Sequence, residues 1–202
     1  TDRATGSRGE LVGSARIVQF DIDPAEIDKN VTDAAYVIGD LRASLEALLD
    51  TLPDTPSSDE EWYKSALERK KSTDTTITED GGWLTPRGVI NEVNRMTSGM
   101  PIITDVGQHQ MWAAQYCEIT GERGFITSGG LGTMGFGMGA AIGASLALGK
   151  RPAVLYTGDG SFGMDLIELA TAVSYNVPLI VVVMNNSSLG MVKQWQKMLY
   201  RR

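Results

Sequence analysis

The second half of the chain alternates short apolar runs with longer segments in which apolar residues recur at helical spacing. Strands are predicted in the apolar runs, within PIITDVG, GFITSGG, AVLYTGDG and VPLIVVVMNN. Helices are predicted around them, from Pro86 with Thr85 as the N-cap, and within QHQMWAAQYC, GFGMGAAIGASLALG and MDLIELATAVSYN. Because strands that are apolar on both sides alternate with helices, the pattern predicts an α/β fold with a parallel sheet covered by helices on both faces.

The first half is less regular and ends in a segment of different composition. ARIVQFDID predicts a strand, PAEIDKN the start of a short helix at Pro24, and DLRASLEALLD a helix with leucines at helical spacing. TLPDTPSSDEE is rich in Pro, Ser and Asp, which is typical of a linker, and DEEWYKSALERKK predicts a solvated helix. We therefore expect part of one domain over residues 1–50, a linker over 51–82 and a second domain over 83–202.

Charge and composition exclude several classes of partner and site. The net charge of −7 argues against binding to a nucleic-acid backbone, which attracts basic surfaces. The longest apolar-leaning run, residues 136–149, is too short to span a membrane. With one cysteine, Cys117, and one histidine, His109, the chain has neither an internal disulfide framework nor a cysteine or multi-histidine metal site. We expect a cytoplasmic protein, in which any metal is a hard ion with oxygen ligands.

Polar or glycine-rich residues follow each predicted strand of the second half, in TDVGQH, TSGGLG, TGDGS and MNNSS. The carboxyl ends of parallel strands meet at one edge of the sheet, and ligands bind beyond that edge. The 24 residues 161–184 lie between the GDG and NN motifs, which is enough for one helix and one strand. Asp159 and Asn186 are therefore expected at the ends of neighbouring strands, within one candidate site.

The chemistry of these two side chains indicates a metal and a phosphate ligand. A carboxylate and an amide oxygen suit Mg²⁺, or Ca²⁺ in a looser site, and phosphates of a ligand usually supply further coordination. Gly158 and Gly160 allow the backbone to approach a phosphate closely, and a helix expected to begin near Ser161 offers free N–H groups.

Together these motifs resemble the large catalytic subunit of acetolactate synthase (acetohydroxyacid synthase), a family of thiamine-diphosphate enzymes. The similarity rests on VGQHQMWAAQ, SGGLGTMGFG, TGDGSFGM, ELATAV, VVVMNN and LGMVKQWQ. It extends to TDRATG and IVQFDIDPAEIDKNV, which are similar to the end of that family's central domain. The resemblance implies a thiamine diphosphate-binding fold over residues 83–202 that continues beyond Arg202. The end of a Rossmann-like, FAD-binding central domain is expected before it.

The resemblance also implies particular ligands for the metal and the cofactor. Mg²⁺ is expected on Asp159, the side-chain oxygen of Asn186 and the backbone carbonyl of Ser188, the last inferred from spacing. Contacts to thiamine diphosphate are implied for a further set of residues: Val106, Gly107, Gln108, His109, Gly158, Gly160, Ser161, Leu189, Gly190, Met191 and Val192.

Roles closer to the chemistry are implied for three residues. Met134 is expected to wedge under the cofactor and bend it, and the carbonyl of Gly132 to accept a hydrogen bond from its amino group. Trp195 is expected to help form the substrate pocket and to favour 2-ketobutyrate as the acceptor. Asp2, Arg3 and Asp21 match positions that contact FAD in the family.

The implied reaction is the decarboxylation of pyruvate on thiamine diphosphate and the ligation of the two-carbon unit to pyruvate or 2-ketobutyrate, a transferase step of branched-chain amino-acid synthesis. The protein supplies positioning and electrostatics. The implied partners are further copies of the chain, in a dimer or tetramer that shares its active sites, and a regulatory small subunit. The family also uses a glutamate from an amino-terminal pyrimidine domain. No stretch resembles that domain, so we expect the 202-residue chain to be inactive alone.

Three alternatives stay open at this point. Another thiamine-diphosphate carboligase or decarboxylase would use the same motifs. The stretch GLGTMG, residues 130–135, fits the G-x-G-x-x-G pattern, and Asp159 follows about 24 residues on, so a dinucleotide-binding oxidoreductase is a second alternative. A non-catalytic cofactor-binding fragment is the third. Met134 as core filler, Trp195 as a packing residue and the two asparagines as a turn are the structural interpretations of those residues.

Overall fold

The computed structural model describes residues 15–32, 34–53, 60–74, 84–120 and 124–201. The chain divides into two compact units, Thr1–Arg69 and Lys70–Arg202. TDRATG, with Asp2 and Arg3, lies outside the described residues, as do residues 54–59 and 75–82 of the predicted linker. The domain limits predicted from composition therefore stay predictions. Among the described residues, no helix combines the length and apolar character needed to cross a lipid bilayer.

The first unit contains a pair of parallel strands, β1 (Val18–Asp21) and β2 (Ala35–Ile38), followed by helix α1 (Leu41–Thr51). Helix α2 (Glu60–Asp74) begins in the first unit and ends in the second. The side chain of Asp40 caps α1 by accepting a hydrogen bond from the amide of Ala43. Two details differ from the sequence prediction. The helix expected at Pro24 is a three-residue 3₁₀ turn, and β2 was not predicted, because its four residues lie between segments that were interpreted as helices.

The second unit contains a four-stranded parallel sheet in the order β4-β3-β5-β6. Its strands are β3 (Ile102–Thr104), β4 (Phe125–Thr127), β5 (Ala153–Gly158) and β6 (Leu179–Met184). Its helices are α3 (Pro86–Met96), α4 (Gln108–Tyr116), α5 (Gly137–Ala147), α6 (Asp159–Asp165), α7 (Leu169–Ser174) and α8 (Gly190–Tyr200). The predicted α/β fold with parallel strands is confirmed.

Alternate residues of the central strands enter cores on opposite faces of the sheet, because side chains along a strand point to opposite sides. Ile103 and Leu155 pack with Met138 of α5 and Ala172 of α7. Ile102, Val154 and Tyr156 pack on the other face with Ile90 of α3 and Ala113 of α4. Strands β3 and β5 are thus covered on both sides, which explains why they are apolar throughout.

The helical segment after β5 differs from its prediction. Helix α6 begins at Asp159 itself rather than near Ser161, and a 3₁₀ turn, Leu166–Glu168, separates it from α7. The break follows Asp165, whose carboxylate accepts a hydrogen bond from the amide of Met138 in α5. The chain is therefore held against the start of α5 at the point where its helical geometry tightens.

The strand order creates a switch point at the edge of the sheet. From β3 the chain moves outward to β4, whereas β5 and then β6 lie on the opposite side of β3. The segments that leave β3 and β5 consequently diverge and open a crevice, which is the usual ligand site of an open parallel sheet.

Candidate functional site

A cavity of about 340 Å³ lies at the carboxyl ends of β3, β5 and β6. Its wall includes every second-half residue that the resemblance assigned to the cofactor, the metal or the substrate. These are Val106, Gly107, Gln108, His109, Gly132, Met134, Gly158, Asp159, Gly160, Ser161, Asn186, Ser188, Leu189, Gly190, Met191, Val192 and Trp195. The structure brings them together; what they bind stays a prediction.

The residues that the resemblance assigned to FAD belong to the first unit. Asp2 and Arg3 lie outside the described residues. Asp21 ends β1 in the first unit, where its carboxylate accepts a hydrogen bond from the amide of Asp23 at 3.1 Å. The FAD assignment therefore stays a prediction.

His109 is held between the ends of two strands. Its side chain is only 5% exposed. A Cβ atom on Gly107 would lie 2.7 Å from its Cε1, and one on Gly158 would lie 3.0 Å from its Nδ1, so the ring occupies space that glycine leaves free. The imidazole therefore fits only because Gly107 and Gly158 have no Cβ atom.

The electrostatic state of His109 follows from this position. Burial lowers its pKa, against smaller opposing effects of Asp105 and Asp159. The imidazole is thus neutral at pH 7. Its Nε2 is buried and has no hydrogen-bond partner within the described residues, although the side chain lines the cavity. A buried, unsatisfied nitrogen of this kind is suited to a polar ligand.

Asp159 and Asn186 reach the cavity from neighbouring strands, as predicted from the spacing of their motifs. The side-chain oxygen of Asn186 accepts from the amide of Ser188 at 3.1 Å and from its hydroxyl at 3.2 Å. The asparagine pair therefore does form a turn, and Asn186 also faces the site. No group of three or more His, Cys, Asp or Glu side chains suited to a metal occurs among the described residues. A metal here would need oxygens from its ligand.

Apolar side chains form another part of the wall. A Cβ atom on Gly160 would lie 2.8 Å from Cδ2 of Leu189 and 3.6 Å from Cε of Met134, so both side chains close over this glycine. Met191 and Trp195 of α8 line the same cavity, and Trp195 is 54% exposed. Met134 is thus in the site rather than in the core. The cavity combines this apolar wall with the polar group of Asp159 and Asn186.

A second cavity of about 330 Å³ adjoins the first and shares Gln108, Asn186, Ser188 and Gly190 with it. The side-chain amide of Gln108 donates to the side-chain oxygen of Gln194 at 3.0 Å, which joins the start of α4 to α8. Further lining residues are Lys193 and Lys197, which form no salt bridge within the described part of the chain. Positive charge therefore lies next to the polar group of the first cavity.

The sequence prediction missed three residues of this region. Trp112 and Met184 line the first cavity. Trp112 lies three residues after His109 on α4, and this i, i+3 spacing was the available signal. The third is Asp105, a fully buried carboxylate that follows β3 and accepts hydrogen bonds from the amides of Gly135 and Gly137.

These bonds argue against a dinucleotide site at the G-x-G-x-x-G stretch. In such a site, the amides at the start of the following helix bind the pyrophosphate. Here the amides at the start of α5 already donate to carboxylates. The amide of Gly137 donates to Asp105, and the amide of Met138 donates to Asp165. A second anion at this helix would meet two acidic side chains.

Comparisons with known proteins agree with the family indicated by the motifs. Residues 105–202 match the family model described as "Thiamine pyrophosphate enzyme, C-terminal TPP binding domain". The chain is 40% identical to the acetolactate synthase large subunit of Buchnera aphidicola subsp. Schizaphis graminum, over 98% of this chain and 35% of that protein. It is 40% identical to the acetolactate synthase isozyme 3 large subunit of Escherichia coli K12, over 98% and 36%.

A third relative is the acetolactate synthase large subunit of Parasynechococcus marenigrum, which is 42% identical over 98% of this chain and 32% of that protein. The chain thus spans about a third of the length of the curated relatives it matches.

Proposed function

Since residues 105–202 belong to the C-terminal TPP-binding domains of the thiamine pyrophosphate enzymes, we propose that the 340 Å³ cavity binds thiamine diphosphate through Mg²⁺. The observation that carries this proposal is the meeting of Asp159 and Asn186 in one cavity, at the switch point of the sheet. The volume falls within the roughly 300–1,000 Å³ of small-molecule sites.

The donor set fits a magnesium–diphosphate pair. Asp159 would supply one anionic oxygen, Asn186 an amide oxygen and Ser188 a backbone carbonyl, and phosphate oxygens of the ligand would add to this set. Helix α6 has only seven residues, and a helix dipole contributes about 0.3–1 kcal/mol to an exposed anion. The metal is therefore the main anchor, and Lys193 and Lys197 add favourable charge nearby.

The shape of the cavity suits the rest of the cofactor. Its apolar wall of Met134, Leu189 and Met191 lies beside the polar group, which matches a ligand with aromatic rings at one end and a diphosphate at the other. Met134 would hold the rings in their bent form, and the carbonyl of Gly132 would accept from the amino group. Bound thiamine diphosphate supplies the electron sink for decarboxylating a 2-keto acid.

We propose further that the chain acts as part of an acetolactate synthase large subunit, on pyruvate and 2-ketobutyrate, with Trp195 beside the acceptor. The names of its relatives support this activity. FAD near Asp21, a homo-oligomer with shared active sites and a small regulatory subunit belong to the same proposal. Another carboligase or decarboxylase of the family would be revealed by its product.

Calorimetry tests the binding proposal. Titration of the chain with thiamine diphosphate should give binding in the presence of Mg²⁺ and none in its absence. Asp159→Ala should weaken it at least about 30-fold, because truncating one partner of a charge pair costs about 2–5 kcal/mol. Glu168→Ala, an exposed acid outside the cavity, is the matched control and should change nothing. Tighter, metal-independent binding of NADH would overturn the proposal.

A further inference from the structure

Asp105 carries a buried carboxylate that joins two separate segments of the chain. It follows β3 and is 0% exposed. Its Oδ1 accepts from the amide of Val106 at 2.8 Å and from that of Gly135 at 3.0 Å, and its Oδ2 accepts from the amide of Gly137 at 3.2 Å. Two of these donors lie 30 and 32 residues further along the chain.

The site around this carboxylate is closely fitted. The backbone of Asp105 is fixed by its own amide, which donates to the carbonyl of Tyr156 at 2.9 Å. A Cβ atom on Gly137 would lie 2.9 Å from Oδ2 of Asp105 and 2.7 Å from Cδ1 of Leu155, so only glycine leaves room for the carboxylate there. The N-cap residue of helix α5, Phe136, makes no side-chain capping hydrogen bond. Asp105, which follows β3, caps the helix instead by accepting from the amide of Gly137.

The partners of Asp105 adjoin two walls of the cavity. Val106 lines the cavity, and its carbonyl accepts from the hydroxyl of Ser161 at 3.2 Å. Gly135 directly follows Met134 and has a left-handed backbone, φ 82°. One carboxylate thus ties the segment that carries Met134 and Gly132 to the segment that leads into α4.

We propose that Asp105 is a positioning residue for the cofactor. It holds Met134 and Gly132 at the place where the rings of thiamine diphosphate bind, and it contacts no ligand itself. This inference rests on the proposed function of the cavity. A carboxylate is needed because its two oxygens accept from three amides. An asparagine would turn an NH₂ group toward one of those donors.

Asp165 provides a matched control. It is also a buried acid, 8% exposed, and its Oδ2 accepts from the amide of Met138 at 3.0 Å, one residue into the same helix. It contacts the helix rather than the loop that carries Met134, and it does not line the cavity. Asp165→Asn and Asp105→Asn each remove one acid at the start of α5, and both should lower the urea midpoint.

The two variants should differ in ligand binding. Titrations with Mg²⁺ and thiamine diphosphate should give a dissociation constant at least about tenfold weaker for Asp105→Asn, and unchanged for Asp165→Asn. Titrations with Mg²⁺ and inorganic diphosphate, which lacks the rings, should give equal affinity for both variants and the wild type. If Asp105 had only a structural role, Asp105→Asn would change the affinities for thiamine diphosphate and for inorganic diphosphate to the same extent.

The outcomes distinguish the two proposals. If the wild type binds neither ligand, the proposed function fails. If the wild type binds thiamine diphosphate and Asp105→Asn binds it as tightly as Asp165→Asn does, the role of Asp105 is refuted while the function stands. Should Asp105→Asn not fold, Gly135→Ala replaces it. A Cβ there has room, 3.5 Å from Met164, but strains the left-handed backbone that presents its amide to Asp105. The same selective loss is expected, and its absence would refute the proposal.

Discussion

The contact between Gly158 and His109 allows a quantitative test of how the site is built. Gly158 has an ordinary extended backbone, φ −94° and ψ 162°, so alanine is tolerated there conformationally. Its Cβ would lie 3.0 Å from Nδ1 and 3.1 Å from Cε1 of the imidazole. Ordinary contacts of carbon are about 3.5–4.0 Å, so the buried ring would have to move.

Gly158→Ala combines two opposing effects on the free energy of unfolding. Overpacking costs about 1–3 kcal/mol, whereas the reduced freedom of the unfolded chain stabilises by about 0.4–1 kcal/mol. We expect a net loss of about 1–2 kcal/mol. Gly139→Ala is the matched control, because a Cβ there meets nothing within 4 Å inside α5. It should stabilise by about 0.5–1 kcal/mol.

Urea denaturation of a double-mutant cycle isolates the contact. In a His109→Ala background the ring is absent, so Gly158→Ala should become neutral or slightly stabilising. The expected coupling between the two positions is therefore about 1–3 kcal/mol. An equal loss from Gly158→Ala in both backgrounds would show that the imidazole does not require this glycine.

Two further predictions concern titratable groups. Burial lowers the pKa of His109, so the unfolded chain takes up a proton there below about pH 6.5, whereas the folded chain takes it up only at a lower pH. The contribution of this group to stability is therefore full above about pH 6.5 and falls as the pH decreases. The urea midpoint should be lower at pH 5.5 than at pH 7.5, and this difference should be smaller in His109→Gln. An equal difference in the wild type and the variant would contradict the attribution to His109. Burial raises the pKa of Cys117 to about 11, so at pH 8 it carries roughly 100-fold less thiolate than a thiol of pKa 9.0. Cys117 should therefore react slowly with a disulfide reagent in the folded protein and fast in urea. Equal rates in the two states would contradict the raised pKa.

The parts of the fold that the sequence predicted are those with local signals. The apolar runs of β3, β5 and β6 and the helical spacing between them were sufficient for the parallel sheet. The GDG and NN motifs placed Asp159 and Asn186 at the ends of neighbouring strands, because one helix and one strand fit between them. The family resemblance supplied the glycine, methionine and tryptophan positions that meet in the cavity.

The features that were missed depend on contacts between distant residues. Asp105 looked like one more polar residue after a strand, because its partners Gly135 and Gly137 are 30 and 32 residues away. The 3₁₀ turn before α7 follows Asp165, which accepts a hydrogen bond from the amide of Met138. The spacing of apolar residues along the helix does not indicate this bond. Strand β2 was missed for a different reason, because its four residues lie between two segments that were interpreted as helices.

A crystal structure of the chain with thiamine diphosphate and Mn²⁺ in place of Mg²⁺ tests the central claim most directly, because anomalous scattering identifies the metal. We predict a metal bound by a carboxylate oxygen of Asp159 and the side-chain oxygen of Asn186, with the diphosphate beside it and Met134 against the rings. A diphosphate bound elsewhere, or a metal that contacts neither side chain, would contradict the account.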